Sequence, residues 1–253
     1  MRSLFLMITL IFSLAACGKK GVLYYPDMLV PSAPTATSVS QIGNSVKLQF
    51  VLPDEDRAGR KLLDLGGVKI NKRESDSDQE QFCISCMTDY RLFRKLYLDL
   101  LTEGAYRYGK RILVLDGDVS AGKTYSYSVV PFTKDGVDGL ASPQVSARVV
   151  QPTMPPILQA ESFPTEIRIS FVSLPSIVGR FLGYNIYRTA QQGMIPYLPI
   201  NKEPLKGKDY TDSGLGRNVK YHYMARTVVE MGSGNMVESP VSNIVDGMLK
   251  DDE

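Results

Sequence analysis

Alternating apolar and polar residues recur along most of the chain. Residues 46–50 have the sequence Val-Lys-Leu-Gln-Phe, and residues 167–171 repeat the pattern as Ile-Arg-Ile-Ser-Phe. A period of two with one apolar face is typical of half-buried β-strands. Turn-forming sequences such as Lys-Asp-Gly at 134–136 and Gly-Ser-Gly at 232–234 separate the apolar runs. The pattern therefore predicts an all-β chain of short antiparallel strands.

The chain also matches itself at an offset of 96 positions. Three pairs of polar or aromatic residues mark the match: Asp116 with Asp212, Tyr125 with Tyr221, and Tyr127 with Tyr223. A repeat of about 100 residues built from short alternating strands favours one β-sandwich per copy. We therefore predict two tandem immunoglobulin-like sandwiches.

Several segments resemble fibronectin type III modules. Residues 48–53 (Leu-Gln-Phe-Val-Leu-Pro) are similar to the second-strand motif of that family, with Phe50 in place of its Trp. Residues 183–188 (Gly-Tyr-Asn-Ile-Tyr-Arg) are similar to the third-strand motif. The resemblance covers residues 31–150 and 152–247. It implies that Tyr125 and Tyr221 are tyrosine-corner residues, whose hydroxyl groups bond to backbone upstream and have a structural role.

The N-terminus has the pattern of a secretory signal peptide. Arg2 precedes an apolar run at residues 4–14, which is about 11 residues long and shorter than the roughly 20 needed to span a bilayer. Residues 14–17, Leu-Ala-Ala-Cys, resemble the bacterial lipobox. The resemblance implies cleavage before Cys17, which becomes lipidated with chains such as palmitate. In such lipoproteins Asp after the Cys retains the protein at the inner membrane, so Gly18 implies the outer membrane, with the periplasmic or surface face left open.

These patterns divide the chain into four parts. Residues 1–16 form the signal peptide, and 17–30 form a lipidated, basic and flexible tether. Residues 31–150 and 151–253 form the two fibronectin type III-like domains, the second with an acidic tail. Three prolines within residues 151–156 predict a short, semi-rigid spacer between the domains.

A complete phosphate-loop motif occurs at residues 117–124, with Gly117, Gly122, Lys123 and Thr124 at its defining positions. Phosphate binding by such a loop requires a helix to begin directly after it. The next residues, 125–131, are instead alternating, β-branched and aromatic, and end at a Pro, which indicates a strand. We interpret the motif as a turn before the tyrosine corner and predict no nucleotide site.

The first repeat has about 20 more residues between its third strand and its tyrosine corner than the second. This insertion contains Cys83 and Cys86, and its residues 90–101 fit a short helix or a strand equally well. Met87 excludes the haem-attachment motif. In an oxidising compartment we expect a local disulfide between the two cysteines. Zinc bound with a further carboxylate or a second chain, thiol exchange and free thiols stay open as alternatives.

Composition argues against nucleic-acid binding and against catalysis by histidine. The chain has 253 residues, 43% of them hydrophobic, and a net charge of +2, so no overall field favours nucleic acid. The single His, His222, lies between two tyrosines and is expected to be an exposed surface residue. We predict neither catalytic residues nor cofactors nor a resident metal.

The expected function is that of a membrane-anchored, non-enzymatic scaffold or interaction module of the cell envelope, with envelope proteins or glycans as partners. One alternative is an accessory to lipopolysaccharide or outer-membrane protein assembly, because residues 17–26 resemble the start of small lipoproteins linked to lipopolysaccharide transport. The other is a thiol-redox or zinc protein that uses Cys83 and Cys86.

Overall fold

The computed structural model describes residues 23–76, 89–172, 179–232 and 234–250. A 3₁₀ helix at Pro26–Met28 precedes the strands. The strands are β1 Thr35–Ile42, β2 Ser45–Val51, β3 Leu65–Ser75, β4 Arg91–Tyr97, β5 Ala105–Tyr108, β6 Arg111–Asp116, β7 Thr124–Thr133, β8 Val145–Arg148, β9 Ile157–Ser162, β10 Glu166–Val172, β11 Arg180–Thr189, β12 Asp209–Ser213, β13 Tyr221–Glu230, β14 Met236–Glu238 and β15 Val245–Gly247.

Strands β1 to β8 form the first sandwich. One layer contains β1, β2, β6 and β5, and the other has the order β4-β3-β7-β8. The alternation predicted at residues 46–50 is observed, since Val46, Leu48 and Phe50 are at most 2% exposed. Their partners from the facing layer include Val68, Ile70, Leu96, Tyr125, Tyr127 and Val129. Phe50 occupies the core position that corresponds to the Trp of the fibronectin type III motif.

Strands β9 to β15 form the second sandwich. The layer β9-β10-β12 packs on β11, β13, β14 and β15. Its core repeats the first: Ile167, Ile169 and Phe171 from β10 pack with Ile186 from β11 and Tyr223 from β13. The predicted all-β architecture of two tandem immunoglobulin-like sandwiches is therefore confirmed.

The two sandwiches share a sheet, which the sequence pattern does not indicate. Strand β14 of the second sandwich pairs antiparallel with β13 and also parallel with β1 of the first. The register places Gln41 opposite Val237 and Ile42 opposite Glu238. Eight strands thereby form one sheet, in the order β11-β13-β14-β1-β2-β6-β5 with β15 paired to β13. Backbone hydrogen bonds thus join the sandwiches directly, in addition to the proline-containing spacer.

Three local expectations are resolved by the structure. Residues 90–101 contain strand β4, so the strand alternative is the right one. Strand β7 continues past Pro131 to Thr133. Proline has no N–H to donate, but its carbonyl still accepts a hydrogen bond, here from the N–H of Gly139. The end of the predicted flexible tether is docked: the carbonyls of Met28 and Val30 accept the N–H groups of Ala58 and Arg57.

The described part of the chain contains no helix with the length and apolar character of a membrane span. Cys17, Cys83 and Cys86 lie outside the described residues, as do the predicted signal peptide and the first part of the predicted stem.

Candidate functional site

The two tyrosines assigned to corners make the same contact in each sandwich. The Tyr125 hydroxyl accepts a hydrogen bond from the N–H of Ser120 at 2.9 Å, and the Tyr221 hydroxyl accepts one from Gly216 at 3.0 Å. The turn between these partners needs a left-handed backbone, with φ of +89° at Gly122 and +60° at Asn218. Asn tolerates this region better than most residues. Both corners therefore tie a loop to the strand that follows it.

A buried aspartate lies beneath each corner. In the first sandwich, Asp116 accepts a hydrogen bond from the Tyr127 hydroxyl at 2.7 Å and lies 2.7 Å from the Lys72 ammonium. Asp116 is 2% exposed, so its charge is compensated by these contacts rather than by water. The Lys72 ammonium also lies 4.6 Å from the centre of the Tyr125 ring.

The second sandwich repeats this arrangement with Arg188 in place of Lys72. Asp212 accepts hydrogen bonds from the Tyr223 hydroxyl at 2.8 Å and from the Arg188 guanidinium at 2.8 Å and 2.9 Å. The sequence repeat identifies the aspartates and tyrosines of the two clusters but not Lys72 and Arg188. These two residues could have been found from strand register, because Lys72 pairs with Tyr127 and Arg188 pairs with Tyr223. Both clusters have a structural role.

The phosphate-loop motif is followed by a strand. Thr124 is the first residue of β7, and Gly117 and Gly122 lie in the irregular segment before it. The Lys123 ammonium forms an ion pair with Glu74 at the end of β3. This hydrogen bond raises the pKa of Lys123 and lowers that of Glu74. The lysine is thus directed at a carboxylate rather than into an anion-binding loop.

We expect Lys123→Ala to leave the melting temperature nearly unchanged, because the ion pair is solvent-exposed and such pairs contribute little. ATP with magnesium is expected to have no effect on the melting temperature of either protein. Differential scanning fluorimetry measures both. A nucleotide-dependent rise in the parent that Lys123→Ala abolishes would contradict our interpretation of the motif.

The prediction that His222 is exposed is wrong. The side chain does face away from the core that Tyr223 enters, but it is only 8% exposed. Strand β15 pairs with β13 and places Asp246 opposite His222, whose Nδ1 is 2.6 Å from the Asp246 carboxylate. Lys220 also contacts Asp246 at 2.6 Å, and Lys220 first and His222 second lower the pKa of that carboxyl group. Pairing by a third strand, which alternation within β13 does not reveal, buries this position.

Among the residues that the structure describes, no group of three or more His, Cys, Asp or Glu side chains is arranged to hold a metal ion.

The seam between the sandwiches contains a buried polar cluster. Lys47 on β2 points away from the first core, and its ammonium lies 2.8 Å from a carboxylate oxygen of Glu238 on β14. The other oxygen of Glu238 accepts a hydrogen bond from the Tyr187 hydroxyl of β11. Both charged side chains are 6% exposed. Arg226 of β13 lies over the Tyr187 ring and donates to the carbonyl of Ser239 at 2.8 Å.

Two further contacts extend the seam. The Gln41 side chain bonds at both ends to the backbone of Val150, with distances of 2.7 Å and 2.9 Å, and so holds the end of the first sandwich against β1. Tyr106 of β5 packs against Tyr197 of the second sandwich in a tilted arrangement, with ring centres 4.8 Å apart. Lys47 alternates with Val46 and Leu48 and so points away from the first core. It is nevertheless buried, because β14 of the second sandwich places Glu238 against it.

Burial raises the pKa of six tyrosines, and the pKa of Tyr106 reaches about 12. The six are Tyr106, Tyr108, Tyr127, Tyr187, Tyr210 and Tyr223. A raised pKa means that the folded state keeps the proton more tightly than the unfolded state. The contribution of these protonated tyrosines to the free energy of unfolding is therefore fully present below the ordinary tyrosine pKa of 10.0. It is lost as the pH rises towards about 12.

We expect alkaline unfolding in that range, with these tyrosines ionising only as the fold is lost. Tyrosinate absorbance and circular dichroism, recorded together against pH, test this. Ionisation of all 14 tyrosines in one step near pH 10.0 with the fold intact would contradict it.

The strand order shows that this is a β-sandwich protein with two modules of fibronectin type III-like architecture. A shared sheet joins the two modules. No family model matches the chain. Among solved structures, a crystal structure of the FN1–FN3 domains of chicken CNTN1 aligns with 88% of this chain and 69% of that chain, at 15% identity and a TM-score of 0.33. A likeness at this level carries no inference about activity or partners.

Proposed function

We propose that the chain is a lipid-anchored, non-enzymatic scaffold of the bacterial cell envelope, whose two sandwiches act as one rigid interaction unit. The observation that carries this proposal is the shared sheet with the buried Lys47–Glu238–Tyr187 cluster. Flexibly linked modules reorient freely, whereas backbone hydrogen bonds and a buried ion pair hold these two at one angle. A fixed angle lets the protein present two loop sets to a partner with a defined spacing.

The polar clusters of the described residues support the non-enzymatic part. Asp116 and Asp212 each have a cation and a tyrosine hydroxyl as partners. Buried carboxylates that are compensated in this way stabilise the fold, and their hydrogen-bonding capacity is used within it. Fold alone does not determine function, so the partner is a matter for experiment.

The lipid anchor rests on the lipobox-like sequence ending at Cys17, and the outer membrane on Gly18. A single acyl chain binds a bilayer only marginally, whereas two or more give stable anchoring. We therefore expect Cys17→Ala to leave the protein uncleaved or soluble instead of in the outer-membrane fraction. Fractionation followed by immunoblotting measures this.

The matched control is Cys83→Ala, which removes a thiol but not the anchor and should fractionate like the parent. If Cys17→Ala fractionates and migrates like the parent, the lipoprotein proposal is wrong. Cross-linking in intact envelopes, followed by affinity capture through the second sandwich, then identifies the protein or glycan partner.

A further inference from the structure

The end of the first sandwich at which the chain enters it exposes several large apolar side chains. We call this end the N-terminal pole; it comprises the loop at residues 52–64, the turn at 98–102 and the loop at 134–141. Leu63 is 78% exposed, Leu100 is 77% exposed and Val137 is 50% exposed. The N–H of Lys134 bonds to the carbonyl of Asp64 and joins two of these loops, and the N–H of Leu98 bonds to the carbonyl of Gly66 at the start of β3. A groove between the first two loops is lined by leucines, among them Leu62, Leu63 and Leu98, and by charged side chains such as those of Lys61 and Asp99.

The stem is attached to the same pole. Its carbonyls at Met28 and Val30 accept N–H groups from the hairpin of the first loop, and the guanidinium of Arg60 in that hairpin lies 5.1 Å from the centre of the Tyr24 ring. Leu23 and Tyr25 of the stem are themselves 77% and 63% exposed. The docked stem therefore adds apolar side chains to the pole.

The length of chain before Tyr24 limits how far this pole lies from an anchor. Cys17 precedes Tyr24 by seven residues, and a fully extended chain spans at most about 3.6 Å per residue, which is roughly 25 Å. The corner turn at Ala121 lies at the other end of β7, ten residues away, which is roughly 30 Å at the rise of a strand. A lipid on Cys17 thus keeps the N-terminal pole, rather than the corner, close to the bilayer.

We propose that the N-terminal pole lies on the phospholipid bilayer, with Leu63 and Leu100 in the interfacial region. This inference rests on the proposed lipid anchor. Anchoring converts a weak contact into an intramolecular one, so a few leucines are enough to orient the protein. Charges at the pole have mixed sign and many are paired, including Lys110 with Asp54 and Arg57 with Asp27. The contact is therefore apolar and insensitive to salt.

The chain contains no Trp, so a single substitution introduces a unique fluorophore. The test uses the mature lipoprotein reconstituted in phosphatidylethanolamine–phosphatidylglycerol vesicles that contain brominated phospholipid, which quenches Trp at the bilayer. Leu63→Trp and Leu100→Trp are expected to lose about half of their fluorescence or more, in low and in high salt alike. The matched control, Ala121→Trp at the exposed corner turn, should be unaffected.

Because Trp itself favours the interface, a second set of variants removes this bias. Val137→Trp serves as the reporter, and Leu63→Ser with Leu100→Ser in that background should weaken its quenching at least twofold. Absence of quenching at both leucine positions, equal quenching at Ala121→Trp, or quenching that disappears in high salt would each overturn the proposal.

A parallel preparation separates this result from failure of the anchor. Cys17 is replaced by a histidine tag, which binds the chain to nickel-chelating lipid in the same vesicles. If the native protein does not partition into membranes, the proposed anchor fails, while the tagged protein still reports whether the pole contacts the bilayer.

Discussion

Lys47→Ala is expected to destabilise the protein by about 3–5 kcal/mol, because it leaves the Glu238 carboxylate in the seam without its counter-charge. Glu238 is 5% exposed and keeps the neutral Tyr187 hydroxyl as a hydrogen-bond donor, while Arg226 in the same cluster donates to the Ser239 carbonyl. Urea unfolding followed by circular dichroism measures the change. The parent should unfold in one transition, because the shared sheet couples the sandwiches.

Two matched variants test the cause. Lys47→Met combined with Glu238→Gln removes both charges and should recover much of the lost stability, since replacing a buried pair by uncharged groups is often nearly neutral. Lys110→Ala removes a lysine from an exposed pair with Asp54 and should have little effect. Equal stabilities for Lys47→Ala and Lys110→Ala would show that burial of the Lys47–Glu238 pair does not determine its cost. Separate transitions for the two sandwiches of the parent would show that the seam does not couple them.

Asp116→Ala is expected to have an effect of similar size, about 3–5 kcal/mol, because it removes the acceptor of two buried groups. The Tyr127 ring is fully buried and the Lys72 side chain is 13% exposed, so neither reaches water easily once the carboxylate is gone. Lys72 keeps the carbonyl of Asp118, two aromatic rings and the more distant charge of Glu74 as neighbours.

The second sandwich provides the comparison. Asp212→Ala removes the equivalent carboxylate, but its cation, Arg188, is 32% exposed and can be hydrated in the variant. We therefore expect Asp212→Ala to cost less than Asp116→Ala in the same urea experiment. A double-mutant cycle with Lys72→Met isolates the ion pair. A larger loss for Asp212→Ala would mean that burial of the cation does not determine the cost.

Both predictions concern buried polar groups that form hydrogen bonds and ion pairs with one another. Such contacts make the fold rigid, which is the property that a scaffold requires. Rigidity in the seam and at the corners fixes where the loops lie, and the loops are then free to vary in chemistry. The N-terminal pole and the corner of the first sandwich lie at opposite ends of its strands. If the pole faces the bilayer, the corner, the end of β3 and the start of β4 lie on the side turned away from it.

Local sequence determined the strands and the repeat. Alternation places Val46, Leu48 and Phe50 in one core and Ile167, Ile169 and Phe171 in the other, because a strand directs every second side chain to the same face. The strand after the phosphate-loop motif was predictable for the same reason, since β-branched and aromatic residues alternate from Tyr125 onward. These properties depend on neighbours within a few residues.

Tertiary structure alone decided the burial of outward-facing positions. Lys47 and His222 alternate away from a core and yet are buried, because β14 joins the two sandwiches and β15 covers β13. Lys47 and its partner Glu238 are 191 residues apart, and no local pattern relates them. Pairing between strand edges uses backbone groups, which are the same in every residue type except proline, so the sequence of β1 or β14 carries little record of the partner. The seam is therefore a property of the folded chain, whereas the two sandwiches are already evident in its sequence.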